Sequence, residues 1–157
     1  MLKKLTKLLI ERNLVISTAE SCTGGLLSSM LTDISGSSAF VKMNFVTYSN
    51  EAKRDILDVR EETLNKYGAV SEQCVREMAD GLINKTHCDI ALCTTGIAGP
   101  TGGTEEKPVG LCYISCCYNA KTLVKKVLEN PNLERKEMKH KFAEHAIKFA
   151  LDVLSSN

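Results

Sequence analysis

Leu2, Leu5, Leu8 and Leu9 fall on one face of a helix with lysines and Glu11 opposite, so the chain opens on an amphipathic helix ending near Asn13. Leu14 to Thr18 is a short β-prone run. Residues 23–34 return to helical spacing through Leu26, Leu27, Met30 and Leu31. A break at Ser35-Gly36-Ser37-Ser38 precedes Phe40 to Tyr48, whose Phe, Val and Thr content predicts a strand. Ser49 then offers a helix N-cap, with Glu51 in the first turn and Lys53, Ile56 and Leu57 following.

Residues 60–67 read as a short helix, and Ser71 caps a longer one running to about Lys85. Ile90 to Thr95 is a buried strand. Val109 to Tyr118 and Leu123 to Leu128 form a hairpin around Asn119 and Ala120. From Arg135 onward, Met138, Phe142, Ala146, Phe149 and Val153 recur at helical spacing, which predicts a final amphipathic helix. There is no internal repeat and no linker. Alternating strands and helices over 157 residues therefore predict one α/β layered domain, residues 1–157.

Composition narrows the function classes. The 20 Lys and Arg against 19 Asp and Glu leave a net charge of +1, too little to hold a polyanion by counterion release, so nucleic acid is not expected as a partner. No apolar run is long enough for a membrane helix, and lysines interrupt the leucines of the first ten residues, so neither a membrane partner nor a secretory signal is expected. Seven scattered cysteines, several in apolar runs, point to reduced thiols and a cytoplasmic location. No Cys-x-x-Cys pair and no histidine pair stands at ligand spacing, so no metal is expected.

Three segments carry candidate chemistry. Glu20 to Gly25 lies where a strand gives way to a helix, and its glycines with the unpaired helix-start N–H groups suit an anion; equally, Ser21 or Thr23 serves as a cap and Gly24 and Gly25 make the turn. Gly96 to Gly103 holds four glycines in eight residues. It is neither a P-loop nor a dinucleotide fingerprint, since a strand follows it, but such a loop between two strands suits a close backbone approach to a ligand. Ser35 to Ser38, with Tyr48 and Lys53, gathers hydroxyls, a phenol and an amine. No histidine is placed to act as base, so a desolvated lysine is the candidate partner of a serine nucleophile, against the reading of a serine-rich turn and an exposed helix lysine.

Taken in order, Thr18 to Gly25, Gly36 to Ser38, Phe45 to Asn50 with Lys53, Gly68 to Ser71, Thr95 to Pro100 and Glu106 to Gly110 resemble the CinA C-terminal family over nearly the whole chain. The resemblance implies a three-layer α/β/α sandwich and a stand-alone amidohydrolase, acting on nicotinamide mononucleotide by a Ser/Lys mechanism without metal or organic cofactor. Matched by motif, Ser38 is the first choice of nucleophile, Lys53 its base and Ser21 the competing serine, with Tyr48 orienting the pair or the leaving ammonia. Thr23, Gly24, Gly25, Thr95, Gly96, Gly99 and Gly102 are the candidates for holding the nucleotide. Arg135 is placed to meet its phosphate or the nascent carboxylate. The family's usual Gly-Asp-Arg before the last helix, followed by a second Arg, reads Leu133-Glu134-Arg135 and Lys139 here. That departure motivates an alternative, a non-catalytic nucleotide-binding or competence-associated regulatory module. The resemblance also implies a homo-oligomer.

Overall fold

The computed structural model describes residues 1–157, built on a five-stranded mixed sheet in the order β2-β1-β3-β4-β5. The strands are β1 (Ile16–Glu20), β2 (Phe45–Val46), β3 (Ile90–Gly96), β4 (Leu111–Tyr118) and β5 (Lys121–Leu128). β1 runs parallel to both β2 and β3, while β4 and β5 continue antiparallel. The helices are α1 (Leu2–Glu11), α2 (Leu26–Thr32), α3 (Asn50–Leu57), α4 (Glu61–Tyr67), α5 (Glu72–Thr86) and α6 (Arg135–Ser155).

Strand alternation sorts the core into two layers. Ile16, Ile90, Leu92, Cys112, Ile114 and Cys116 face one side of the sheet and pack with α1, α2 and α6 through Leu5, Leu9, Leu27, Leu31, Phe142 and Ala146. Ala19, Ala91, Cys93 and Cys117 face the other, against Leu57 of α3, Leu64 of α4 and Val75, Met78 and Leu82 of α5. This is the α/β/α sandwich. All seven cysteines are free and buried within it, and no helix is long and apolar enough to cross a membrane.

Local chemistry sets the element ends. Ser49 and Ser71 cap α3 and α5, their hydroxyls accepting from the N–H groups of Ala52 at 3.0 Å and Cys74 at 3.1 Å. Asn119 (φ 50°) and Ala120 (φ 59°) both take the left-handed conformation that a two-residue hairpin turn requires, so β4 and β5 pair from Tyr118 and Lys121 down to Leu111 and Leu128.

Several element bounds differ from expectation: β1 is Ile16–Glu20 rather than Leu14 to Thr18, β4 begins at Leu111 rather than Val109, and β5 at Lys121 rather than Leu123. α1 stops at Glu11, before Asn13 turns left-handed at φ 53°, and α2 starts at Leu26 because Gly24 and Gly25 both hold positive φ. The expected strand from Phe40 to Tyr48 shrinks to Phe45–Val46. Val41 forms an isolated bridge to Ile16, and pairing resumes only at Ala19 with Phe45, so the edge segment spends one more residue than β1. Across that bulge the side-chain oxygen of Asn44, rather than a backbone carbonyl, accepts from the N–H of Thr18 at 2.9 Å.

Candidate active site

β1 lies between its two parallel neighbours, with the chain leaving it toward β2 on one side and reaching β3 on the other. This is a topological switch point, where the carboxyl ends of parallel strands open a crevice. A cavity of about 290 Å³ occupies that position, walled by Ser21 and Cys22 after β1, Lys53 of α3, and Thr95 with Gly96 at the end of β3. Ala69 and Val70 close one flank; Gly99, Gly102, Tyr48 and Arg135 form the mouth.

Ser21 is positioned by its backbone. Its N–H donates to Thr94 O at 3.0 Å, and its carbonyl accepts from the N–H of Gly24 at 3.0 Å. The turn so formed is anchored from below by Glu20, which has no exposed surface. The Glu20 carboxylate accepts from the Thr23 hydroxyl at 2.7 Å and from the N–H groups of Gly25 (3.2 Å), Leu27 (2.8 Å) and Ser28 (2.9 Å). It thus saturates the first turn of α2. Beside it the N–H groups of Cys22 and Thr23 have no partner within the chain.

Lys53 is only 1% exposed, on the inner face of α3. The N–H of Thr47 donates to Glu20 O at 2.8 Å and docks the 47–48 segment beside β1. Lys53 Nζ there meets three oxygens: Thr47 O at 3.0 Å, Tyr48 O at 3.1 Å and Ser21 Oγ at 3.0 Å. Two are carbonyls, which only accept; the third is a hydroxyl, which also donates. A charged Lys53 donates to all three, leaving the Ser21 hydroxyl a 3.4 Å contact to Tyr48 O. A neutral Lys53 donates to the two carbonyls and turns its lone pair toward Ser21. Burial favours the neutral form, lowering this amine below the ordinary lysine range against the opposing pull of Cys74 and Cys22.

The expected pairing of Ser38 with Lys53 is not what the structure shows. Ser38 sits exposed in a single 3-10 turn, Ser37–Ala39, after the left-handed Gly36, and is not part of the cavity wall. Ser21 holds the place beside Lys53. The Tyr48 hydroxyl, expected to orient the pair, is instead turned to the mouth, where the Arg135 guanidinium donates to it at 3.0 Å and also donates to Gly99 O at 2.6 Å. It is the Tyr48 backbone carbonyl that holds Lys53.

Of the expected nucleotide contacts, Thr95, Gly96, Gly99, Gly102 and Arg135 line the cavity. The Thr95 hydroxyl is already donated to Ala69 O at 2.9 Å. Thr23 is fully buried and not part of the cavity wall, and its hydroxyl is engaged by Glu20 and by Thr94 Oγ1 at 2.8 Å. Gly24 and Gly25 shape the turn without forming the cavity wall. Sequence reasoning missed three participants: the Glu20 carboxylate, Cys22 on the cavity wall, and the Ala69–Val70 flank. The only signal for the last was the Gly68 to Ser71 motif. No group of three or more His, Cys, Asp or Glu side chains converges in the molecule.

A family model for the CinA C-terminal domain matches residues 1–154. The chain belongs to the CinA C-terminal domain family. A CinA-like protein of Chloroherpeton thalassium is 60% identical over 115 residues, covering 73% of this chain and 27% of that protein. The chain spans less than a third of the length of the curated relatives it matches. Among solved structures, the competence/damage inducible protein CihA of Agrobacterium tumefaciens is 39% identical with a TM-score of 0.92, covering 98% of this chain and 94% of that one. Competence damage-inducible protein A of Klebsiella pneumoniae is 34% identical with a TM-score of 0.93, with the same coverage.

Proposed function

We propose that this CinA-family domain hydrolyses the carboxamide of nicotinamide mononucleotide, giving nicotinate mononucleotide and ammonia, with Ser21 as nucleophile and Lys53 as general base. The observation that carries this reading is the buried Lys53 Nζ, 3.0 Å from Ser21 Oγ, with its other two partners restricted to carbonyls. Resemblance to the family's amidohydrolases supplies the substrate.

Neutral Lys53 takes the Ser21 proton as Oγ adds to the carboxamide carbon. The oxyanion accepts from the unpartnered N–H of Cys22, the residue following the nucleophile. Lys53, now an ammonium, gives its proton to the departing nitrogen, and ammonia leaves behind an ester on Ser21. Water then adds to that ester with Lys53 again as base, and nicotinate mononucleotide is released. Arg135, without a carboxylate partner at the mouth, meets the phosphate, while Gly96, Gly99 and Gly102 let the loop backbone lie close to the nucleoside.

The experiment is ammonia release from nicotinamide mononucleotide by the wild type, Ser21→Ala, Ser38→Ala and Lys53→Ala. Turnover is expected in the wild type and Ser38→Ala, and its loss in the other two. Calorimetric binding of the nucleotide with no ammonia released would replace this reading by that of a regulatory binding module.

A further inference from the structure

Six of the seven cysteines are packed away from the cavity, but Cys22 is on its wall, 5% exposed, between Ser21 and the turn that leads into α2. Its Sγ lies 3.8 Å from Sγ of Cys112, which is fully buried in β4 directly behind it. No other pair of cysteine sulfurs in the chain makes such a contact. We propose that Cys22 and Cys112 form a modification site: a hydroperoxide that enters the cavity oxidises Cys22, and Cys112 converts the product into a disulfide that disables Ser21.

The roles follow from access. A small oxidant reaches Cys22 through the cavity but meets Cys112 only behind it. Lys53 Nζ, 3.0 Å from the hydroxyl of the preceding residue Ser21, lines the same cavity as Cys22 and brings an amine to the end where the peroxide arrives. The Cys22 thiolate attacks one peroxide oxygen; the O–O bond breaks, and the other oxygen leaves with a proton as alcohol or water. Cys22 is now a sulfenic acid. The Cys112 sulfur attacks the Cys22 sulfur, the hydroxyl departs as water with the Cys112 proton, and the S–S bond forms. Two thiols have lost two electrons and one peroxide has gained them.

The backbone decides which side moves. Cys112 is held opposite Gly96 in the β3–β4 ladder, and a Cβ on Gly96 would stand 2.9 Å from Cys112 Cβ, so that strand is packed tightly. Cys22 is in a turn. Closing the sulfurs from 3.8 Å to the roughly 2 Å of a disulfide therefore draws the turn toward β4 and carries Ser21 away from Lys53.

The test treats the folded full chain with hydrogen peroxide, blocks remaining thiols in acid, and maps peptides by mass. The expected result is one joined pair, Cys22 with Cys112, that is absent in Cys112→Ala, where dimedone instead traps Cys22. A map with no oxidation at Cys22, with another cysteine joined, or with Cys22 carried to sulfinate in the wild type without a joined pair overturns the proposal. The wild-type map decides even if Cys112→Ala does not fold. Because the map reads covalent bonds, it is independent of the hydrolase reading. In an active preparation, ammonia release is expected to fall with the joined fraction and to return with dithiothreitol. Full activity in the joined form would sink the coupling to Ser21.

Discussion

Lys53 Nζ and Ser21 Oγ meet at 3.0 Å across 32 residues of chain, one from the inner face of α3 and the other from the turn after β1. Ser21 is the only hydroxyl among the three Nζ partners. Ser21→Ala is therefore expected to lower kcat for amide hydrolysis by on the order of 10³ or more. Ser38→Ala, a change on an exposed turn, should leave kcat within about twofold and stability within about 0.5 kcal/mol. Steady-state ammonia release and urea unfolding check both.

Burial lowers the Lys53 pKa, and the base must be neutral to act, so kcat/KM is expected to rise with pH through that lowered value and level off above it. Lys53→Arg, a guanidinium that keeps its proton, should show no such limb and little activity. The same shift has a stability consequence. Between the lowered and the ordinary lysine pKa the unfolded chain binds more protons than the folded one. Stability therefore rises with pH across that window, and the full penalty of burying the charge applies below it. Denaturant midpoints across the alkaline range, compared between wild type and Lys53→Met, would show the slope in the first and not the second.

Arg135 stands at the mouth, held by Gly99 O and the Tyr48 hydroxyl rather than by a carboxylate. Arg135→Ala should raise KM for the mononucleotide roughly tenfold or more with a smaller change in kcat, as loss of a charge-assisted contact predicts. Tyr48→Phe removes only the exposed bond that steadies the guanidinium, and a KM rise of about twofold is expected. A kcat loss larger than the KM rise in Tyr48→Phe would show that the phenol acts at the reacting atoms.

Glu20 is buried beneath the turn with its oxygens taken by Thr23, Gly25, Leu27 and Ser28. Glu20→Ala leaves three N–H groups without their acceptor, that of Leu27 fully buried, and should cost roughly 3 kcal/mol or more, while the Thr23 hydroxyl keeps Thr94 Oγ1. Turnover should fall as well, because the same carboxylate fixes the turn that carries Ser21. Glu20→Gln, which keeps an acceptor oxygen, should recover part of both in thermal melts and in ammonia release.

Gly81 sits inside α5, where helix propensity alone would favour alanine by about 1 kcal/mol. The structure predicts the opposite, since a Cβ there would lie 1.8 Å from the Leu57 carbonyl oxygen at the end of α3. Gly81→Ala is expected to destabilise by about 3 kcal/mol through overpacking. As α3 carries Lys53, activity should also drop; an alanine variant with a raised Tm would refute this packing.

Periodicity and capping chemistry are local, and what depends on them was readable from the chain: the amphipathic faces of α1 and α6, the caps at Ser49 and Ser71, the hairpin at Asn119 and Ala120. The long motifs likewise carried the family, because they run in order through the whole sequence. Tertiary packing decided the rest. Phe40 to Tyr48 has strand composition, yet Asn44 satisfies Thr18 in place of the ladder and breaks the strand into a bridge and two paired residues. Ser38 lies nearer than Ser21 to Lys53 along the sequence, but the parallel crossover brings the end of β1, not the 3-10 turn, against the inner face of α3. Glu20, Thr23 and Cys22 have no local signature either. The Glu20 carboxylate caps a turn only a few residues on, but its complete burial, the Thr23 hydroxyl's bond to Thr94 and the Cys22 sulfur's contact with Cys112 depend on strands distant in sequence, which spacing does not encode.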